Sequence, residues 1–259
     1  MNIESILKSM RMKTIPWLVT KEILDRCDIP SGKGWDKTIE KVEKLEKTDS
    51  ESCIQNQKFK LLLNFYRETL ICGEKSVCFY SINHEKKNLL IKHLKETRIQ
   101  DSIFAQFYPL LISKEELENL SVSNPKLIKV EFFDTGIAAI YSSVRTVKQK
   151  VSLKEEDVLN KDNEYIGQFS EIYGVRNTNL QAFDVVWIPY QEDEIELRVD
   201  CPVGITRNSY AIAHQSLLSN VFLQIGEEIE LKPLNLFPLI KKIYNEEIDA
   251  KIVELGFNT

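Results

Sequence analysis

Residues 126–150 read KLIKVEFFDTGIAAIYSSVRTVKQK, and this stretch decides the fold class. Its two ends are rich in β-branched and aromatic residues, whereas the central DTG at 134–136 is typical of a hairpin turn. We therefore expect an antiparallel pair of strands at 126–133 and 137–150.

Beyond this hairpin the pattern remains that of β-structure. Residues 194–200 alternate apolar and charged side chains with a period of two, which predicts a strand with one apolar face. Segments 164–175 and 182–190 are predicted as two further strands. Residues 210–225 are predicted as one long helix.

Before the hairpin the apolar spacing is helical. The clearest helix is predicted at 58–72, where apolar residues recur three and four positions apart. A short strand is predicted at 77–82. The sequence thus predicts an α+β fold, a mainly helical N-terminal part followed by a mainly antiparallel β part with one long helix. We place the domain boundary at residue 120, between a helical, net basic domain at 1–120 and an acidic α+β domain at 121–259.

The charge of the chain is unevenly distributed. The net charge of all 259 residues is −5, but residues 1–150 carry +5 and residues 151–259 carry −10. A basic half of this kind is suited to a phosphate backbone, and an acidic half to a basic partner. The alternative is that both sets of charges only solvate the surface.

Cysteine use and hydropathy indicate a cytoplasmic protein. No apolar run approaches the ~20 residues that span a bilayer, and residues 1–17 lack the apolar core of a signal peptide. The chain has five cysteines, an odd number, without a C-x-x-C pair. Free thiols in a reducing compartment explain this best, and we expect neither a metal site nor a cofactor.

Residues 18–45 read LVTKEILDRCDIPSGKGWDKTIEKVEKL, a short helix, an extended loop and a second helix. This segment resembles the SAP family of helix–extended loop–helix DNA-binding modules, in which the loop glycine and basic residues at the start of the second helix approach the DNA backbone. By position, the resemblance implies DNA contacts from Ser31, Gly32, Lys33, Lys37 and Lys41. Acidic residues in the same segment reduce its positive charge, and a plain helical hairpin is the alternative interpretation.

Two other groups of basic residues are candidates for the same role. The predicted helix at 85–97 carries Lys86, Lys87 and Lys92, which we include among the expected nucleic-acid contacts. Arg145, Lys148 and Lys150 follow one another along a predicted strand and form a possible basic edge. Lysines on an edge strand also prevent sheet-to-sheet aggregation, and that alternative stays open.

The sequence contains one loose likeness to a catalytic site. Metal-dependent nucleases of the restriction-endonuclease type use an Asp on one strand and Glu-x-Lys on the next, and here Asp184 precedes Glu196-Leu197-Arg198. A period of two places Asp184 and Glu196 on opposite faces of a hairpin, which argues against a shared metal. A β-bulge at Pro189 could bring the two together. Otherwise the strand is expected to have a solvated face formed by Glu194, Glu196, Arg198 and Asp200, with Trp187 over Arg198.

These observations favour a non-catalytic protein that binds DNA or another nucleic acid through its basic N-terminal half. A protein–protein adaptor, whose acidic C-terminal half recruits a protein partner, is the alternative. A metal-dependent nuclease is a third and weaker possibility.

Overall fold

The computed structural model of the chain describes residues 1–48, 53–153, 170–202, 204–225 and 231–238, together with Lys242 and Asn245. The fold is α+β, as the sequence predicts. Eight helices occur in these residues: α1 (Ile3–Met12), α2 (Trp17–Arg26), α3 (Trp35–Thr48), α4 (Cys53–Cys72), α5 (His84–Glu96), α6 (Ile103–Phe107), α7 (Lys114–Asn119) and α8 (Arg207–Ile225).

The same residues form one antiparallel sheet of six strands in the order β2-β3-β4-β5-β1-β6. The strands are β1 (Lys75–Ser81), β2 (Lys126–Phe132), β3 (Gly136–Leu153), β4 (Ile172–Pro189), β5 (Glu194–Asp200) and β6 (Lys232–Pro233). The predicted hairpin is confirmed, because β2 and β3 pair on either side of residues 133–135.

The two strands predicted at 164–175 and 182–190 are wrong as separate elements. Residues 172–189 form one continuous strand that pairs with the whole of β3, while 164–169 lie outside the described residues. The polar stretch that suggested a break stays in the strand because its side chains are satisfied. Asn179 donates to Leu117 O at 3.3 Å and Leu120 O at 3.1 Å, and Gln181 accepts from the N–H of Ile112 at 2.9 Å.

The sheet separates two layers of helices, each with its own hydrophobic core. Successive residues of β3 face opposite layers, with Ala138 and Ile140 in the first core and Ala139 and Tyr141 in the second. We call the side covered by α1–α4, α6 and α7 the first layer, and the side covered by α5 and α8 the second layer.

Residue 120 does not separate these cores. Strand β1 comes from the N-terminal part of the chain, yet it pairs along its whole length with β5. Each core also combines residues from both sides of position 120, such as Leu62 with Val185 and Leu90 with Leu217. The proposed division into domains at 1–120 and 121–259 therefore cuts through both hydrophobic cores and the pairing of β1 with β5.

A largely buried group of charged side chains lies where β5 leaves β4. The backbone pairing of these strands ends at Val185 and Arg198. Beyond that point, carboxylates accept the free amides: Phe183 N–H donates to Asp200 Oδ2 and Asp200 N–H donates to Asp184 Oδ1, both at 2.9 Å. We call this group the Asp200 cluster; it comprises Lys13, Lys75, Arg145, Asp184 and Asp200.

Cations from three different elements converge on the two carboxylates of this cluster. Lys13, which follows α1, forms an ion pair with Asp200, and Lys75 Nζ of β1 lies 3.6 Å from Asp200 Oδ1. Arg145 of β3 pairs with Asp184 and also donates to the carbonyl oxygen of Asp200 at 2.7 Å. The cluster thereby connects the first layer of helices to β1, β3, β4 and β5.

Burial and charge act in opposite directions on these groups. Burial alone would raise the pKa of Asp200, but the ammonium groups of Lys13 and Lys75 outweigh it and hold that pKa at about 2. Burial lowers the pKa of Lys75 and raises the pKa of Asp184, although Arg145 favours the ionised form of the latter. Asp200 is thus the anion on which both lysines depend.

We predict that Asp200→Asn lowers the free energy of unfolding by about 3–5 kcal/mol, because it leaves buried cations without their counter-ion. Asp36→Asn is a matched control, since Asp36 is 85% exposed in its ion pair with Arg11 and should lose at most about 1 kcal/mol. Urea unfolding of both variants measures the difference. Equal losses would contradict the assigned role of Asp200.

Candidate nucleic-acid interface

The segment that resembles a SAP module has the helix–loop–helix form that the sequence predicts. Helices α2 and α3 enclose the loop at 27–34, and both contribute to the first core through Leu24 and Val42. Trp17 and Trp35, at the beginning of each helix, meet edge to face with ring centroids 5.4 Å apart. The relative position of the two helices is therefore fixed by packing.

The loop is held against the first turns of α3. The buried hydroxyl of Thr38 accepts from the N–H of Gly32 and donates to Gly34 O, both at 2.8 Å. Lys41 Nζ donates to Ser31 O at 2.9 Å. A Cβ on Gly32 would lie 2.8 Å from the carbonyl carbon of Lys37, so only glycine allows this approach. Gly32 and Lys41 therefore shape the loop.

Helix α3 begins without a side-chain cap. Gly34, with φ of +84°, supplies the carbonyl that accepts from Thr38 N–H at 3.3 Å, so it occupies the N-cap position and has no side chain to offer. The N–H groups of residues 35–37 have no acceptor in the described part of the chain. Lys33 and Lys37 are exposed beside them. The unpaired amides, the positive end of the helix dipole and the two ammonium groups together favour the binding of an anion at this point.

Three acids close to the loop and the start of α3 are paired with cations. Asp28 pairs with Lys58 and Asp36 with Arg11, each at 2.6 Å, and Glu40 pairs with Lys44 at 2.7 Å. By contrast, neither Lys33 nor Lys37 forms an ion pair with any residue that the structure describes. The positive charge beside the α3 N-terminus is therefore greater than the composition of 18–45 suggests.

The lysines predicted on α5 do not join this group. Lys87 is buried, and its ammonium donates to Tyr190 O at 3.2 Å and Glu192 O at 2.7 Å. It holds the connection between β4 and β5. Lys86 is half-buried and Lys92 exposed, but α5 belongs to the second layer. The sheet therefore lies between them and the loop at 31–37.

The predicted basic edge is only partly confirmed. Arg145 is 5% exposed and belongs to the Asp200 cluster, so including it in the edge was wrong. Lys148 and Lys150 are exposed. The sequence could not separate these cases, because the partner of Arg145 is 39 positions away on the next strand.

The proposed nuclease pair is divided between the two faces of the sheet. Asp184 is fully buried and bound by Arg145, whereas Glu196 accepts from Arg198 Nε at 2.8 Å on the other face. The guanidinium of Arg198 lies 5.1 Å from the ring centroid of Trp187, as predicted. The expectation that Asp200 lies on the same solvated face is wrong, because Asp200 is buried against Lys13 and Lys75. Within the described ranges, no three His, Cys, Asp or Glu side chains are grouped as a metal site requires.

A second polar group escaped the sequence analysis. Tyr80 OH and His214 Nε2 are 3.0 Å apart between β1 and α8, and the Tyr210 ring stacks at an angle on the imidazole. Tyr210 OH in turn contacts Ser76 Oγ at 3.0 Å and Cys78 Sγ at 3.5 Å. Alternation along β1 and the four-residue step on α8 bring these side chains together, a signal visible only once the two elements are known to pack.

Comparison with known proteins adds no assignment: no protein-family model matches the chain, and no curated protein matches its sequence. Among the described residues, no helix has the length and apolar character to cross a membrane.

We predict that His214 makes the fold sensitive to mild acid. Burial lowers the pKa of His214, so the unfolded state binds a proton more readily and the free energy of unfolding falls as pH decreases through about 6.5. The urea midpoint should fall less between pH 7.5 and 5.5 in His214→Gln than in the parent. His93→Gln, at an exposed position of α5, is the control, and an undiminished fall in His214→Gln would refute the prediction.

Proposed function

We propose that this protein binds the phosphate backbone of DNA through the loop at 31–34 and the first turns of α3. The observation that supports this most directly is the uncapped N-terminus of α3 beside the exposed Lys33 and Lys37. Amides and ammonium groups in this arrangement bind phosphate oxygens without regard to base sequence. No catalytic step is part of the proposal.

The two kinds of residue in this interface have different roles. Lys33 and Lys37 supply charge, and their contacts release counter-ions from the DNA. Gly32 and Lys41 keep the loop close to α3, through the tight glycine contact and the bond to Ser31 O. A cytoplasmic location is part of the proposal, because Cys27, Cys72, Cys78 and Cys201 are free thiols.

The adaptor function remains the alternative. In that case the acidic C-terminal half would recruit a protein partner, and the positive charge at α3 would serve only solubility. Changing Lys33 and Lys37 would then leave partner binding intact, which distinguishes the two functions.

The double variant Lys33→Gln/Lys37→Gln should reduce both the affinity for a 20-base-pair duplex and its salt dependence. Each lost phosphate contact lowers the magnitude of the slope of log K against log salt by about 0.9, so we expect a decrease of about 2. Fluorescence anisotropy titrations between 50 and 200 mM NaCl measure this slope.

Lys92→Gln/Lys95→Gln is the matched control, because it removes the same charge from the exposed surface of α5 in the second layer. Its slope should equal that of the parent. Absence of binding by the parent at 50 mM NaCl, or equal losses in the two double variants, would contradict the proposed site.

A further inference from the structure

Strands β3 and β4 continue beyond the rest of the sheet as a two-stranded ribbon. Pairing of β3 with β2 ends at Ser142, and pairing of β4 with β5 ends at Val185. We call residues 147–153 and 172–178 the ribbon; they pair with each other throughout, from Val147 with Thr178 to Leu153 with Ile172. Seven residues in a strand extend about 23 Å.

The ribbon carries only positive charge. Its strands contain Lys148, Lys150 and Arg176 and not a single Asp or Glu; the nearest described acid is Glu171, directly before β4, which accepts a hydrogen bond from Tyr173 OH. All three cations are exposed, as are Tyr173 at 42% and Val175 at 69%. The connecting residues 154–169 contain both acids and lysines and lie outside the described residues, so the inference concerns the two strands alone.

Local contacts arrange these cations along the strands. Lys150 Nζ lies 3.7 Å from the centroid of the Tyr173 ring, which holds the ammonium group over the aromatic face. The guanidinium of Arg176 donates through Nε and Nη2 to Gln149 Oε1, at 3.1 and 3.0 Å. Because Arg176 pairs with Gln149 and Lys150 pairs with Val175, Arg176 lies on the face of the ribbon opposite to Lys148 and Lys150.

The exposed ribbon adds little to the stability of the fold. Val147 at the base of the ribbon is buried, but a two-stranded ribbon is by itself marginal in water, and the last backbone bond that we find from the ribbon to the rest of the described chain is Lys148 N–H to Gly204 O at 3.2 Å. Charge on such an element therefore affects what it binds more than how the chain folds.

We infer that this ribbon is a second contact surface for duplex DNA, with Lys148 and Lys150, which share one face of the ribbon, against the phosphates that border a groove. The major groove of B-DNA is wide enough to admit a two-stranded ribbon, and a face that carries two exposed lysines complements its phosphate walls. The inference rests on the proposed DNA-binding function and adds to it a site on another part of the fold.

The test uses the full chain with Lys148→Gln/Lys150→Gln. Its matched control is Lys126→Gln/Lys129→Gln, which removes two exposed lysines from β2 at the edge of the same sheet. Anisotropy titrations of a 20-base-pair duplex across salt should show a slope reduced by about 2 in the ribbon variant and unchanged in the control. Unfolding midpoints of both variants should equal that of the parent.

Four results separate this site from the one at α3. A slope reduced in the Lys33→Gln/Lys37→Gln variant but unchanged in the ribbon variant would overturn the ribbon and leave the proposed function intact. The reverse would support the ribbon and overturn the α3 site. No binding of the parent at 50 mM NaCl would overturn both. If the full chain bound polyglutamate as tightly as it binds the duplex, the assignment of the ribbon to DNA would be overturned.

Discussion

The structure depends on the charge balance around Asp200. At the point where β5 leaves β4, backbone pairing ends, and two carboxylates accept the amides that the ladder no longer satisfies. Buried carboxylates require counter-ions, and these come from α1, β1 and β3. One constraint thus fixes three otherwise distant elements. Through Lys13 it also reaches α1, whose Arg11 pairs with Asp36 in the first turn of α3.

Local pattern predicted the hairpin and the strand at 194–200, but not the continuity of β4 or the contacts between distant elements. The DTG turn and the alternation at 194–200 predicted strands that the structure confirms, because one face of each is apolar. The polar residues of 176–181 suggested a break in the strand. Their hydrogen-bond partners lie more than 60 positions earlier, in α7 and the segment before it, so the local sequence does not show that these side chains are satisfied. The ion pair of Lys13 with Asp200 joins residues 187 positions apart, and no local pattern contains it.

The candidate site at α3 could be predicted from local sequence because its residues are close together in the chain. Residues 31–41 form one loop and one helix, so their composition and order already place them together. Lys87 shows where this reasoning stops: it occupies a helix among other lysines, yet its ammonium is buried against carbonyl oxygens of the β4–β5 connection. Counting charges along a chain does not show which of them a second element will neutralise. Exposed cations lie at the start of α3 and on the ribbon, and the exposed lysines of α5 lie on the other side of the sheet from α3.

Amide hydrogen exchange of the full chain, with and without a 20-base-pair duplex, tests this account most directly. Bound DNA should slow exchange at residues 31–37 and 148–150, where phosphates would cover exposed amides and lysines, and it should leave α5 unchanged. Slower exchange confined to α5, or no change at 31–37 in a saturated complex, would contradict it.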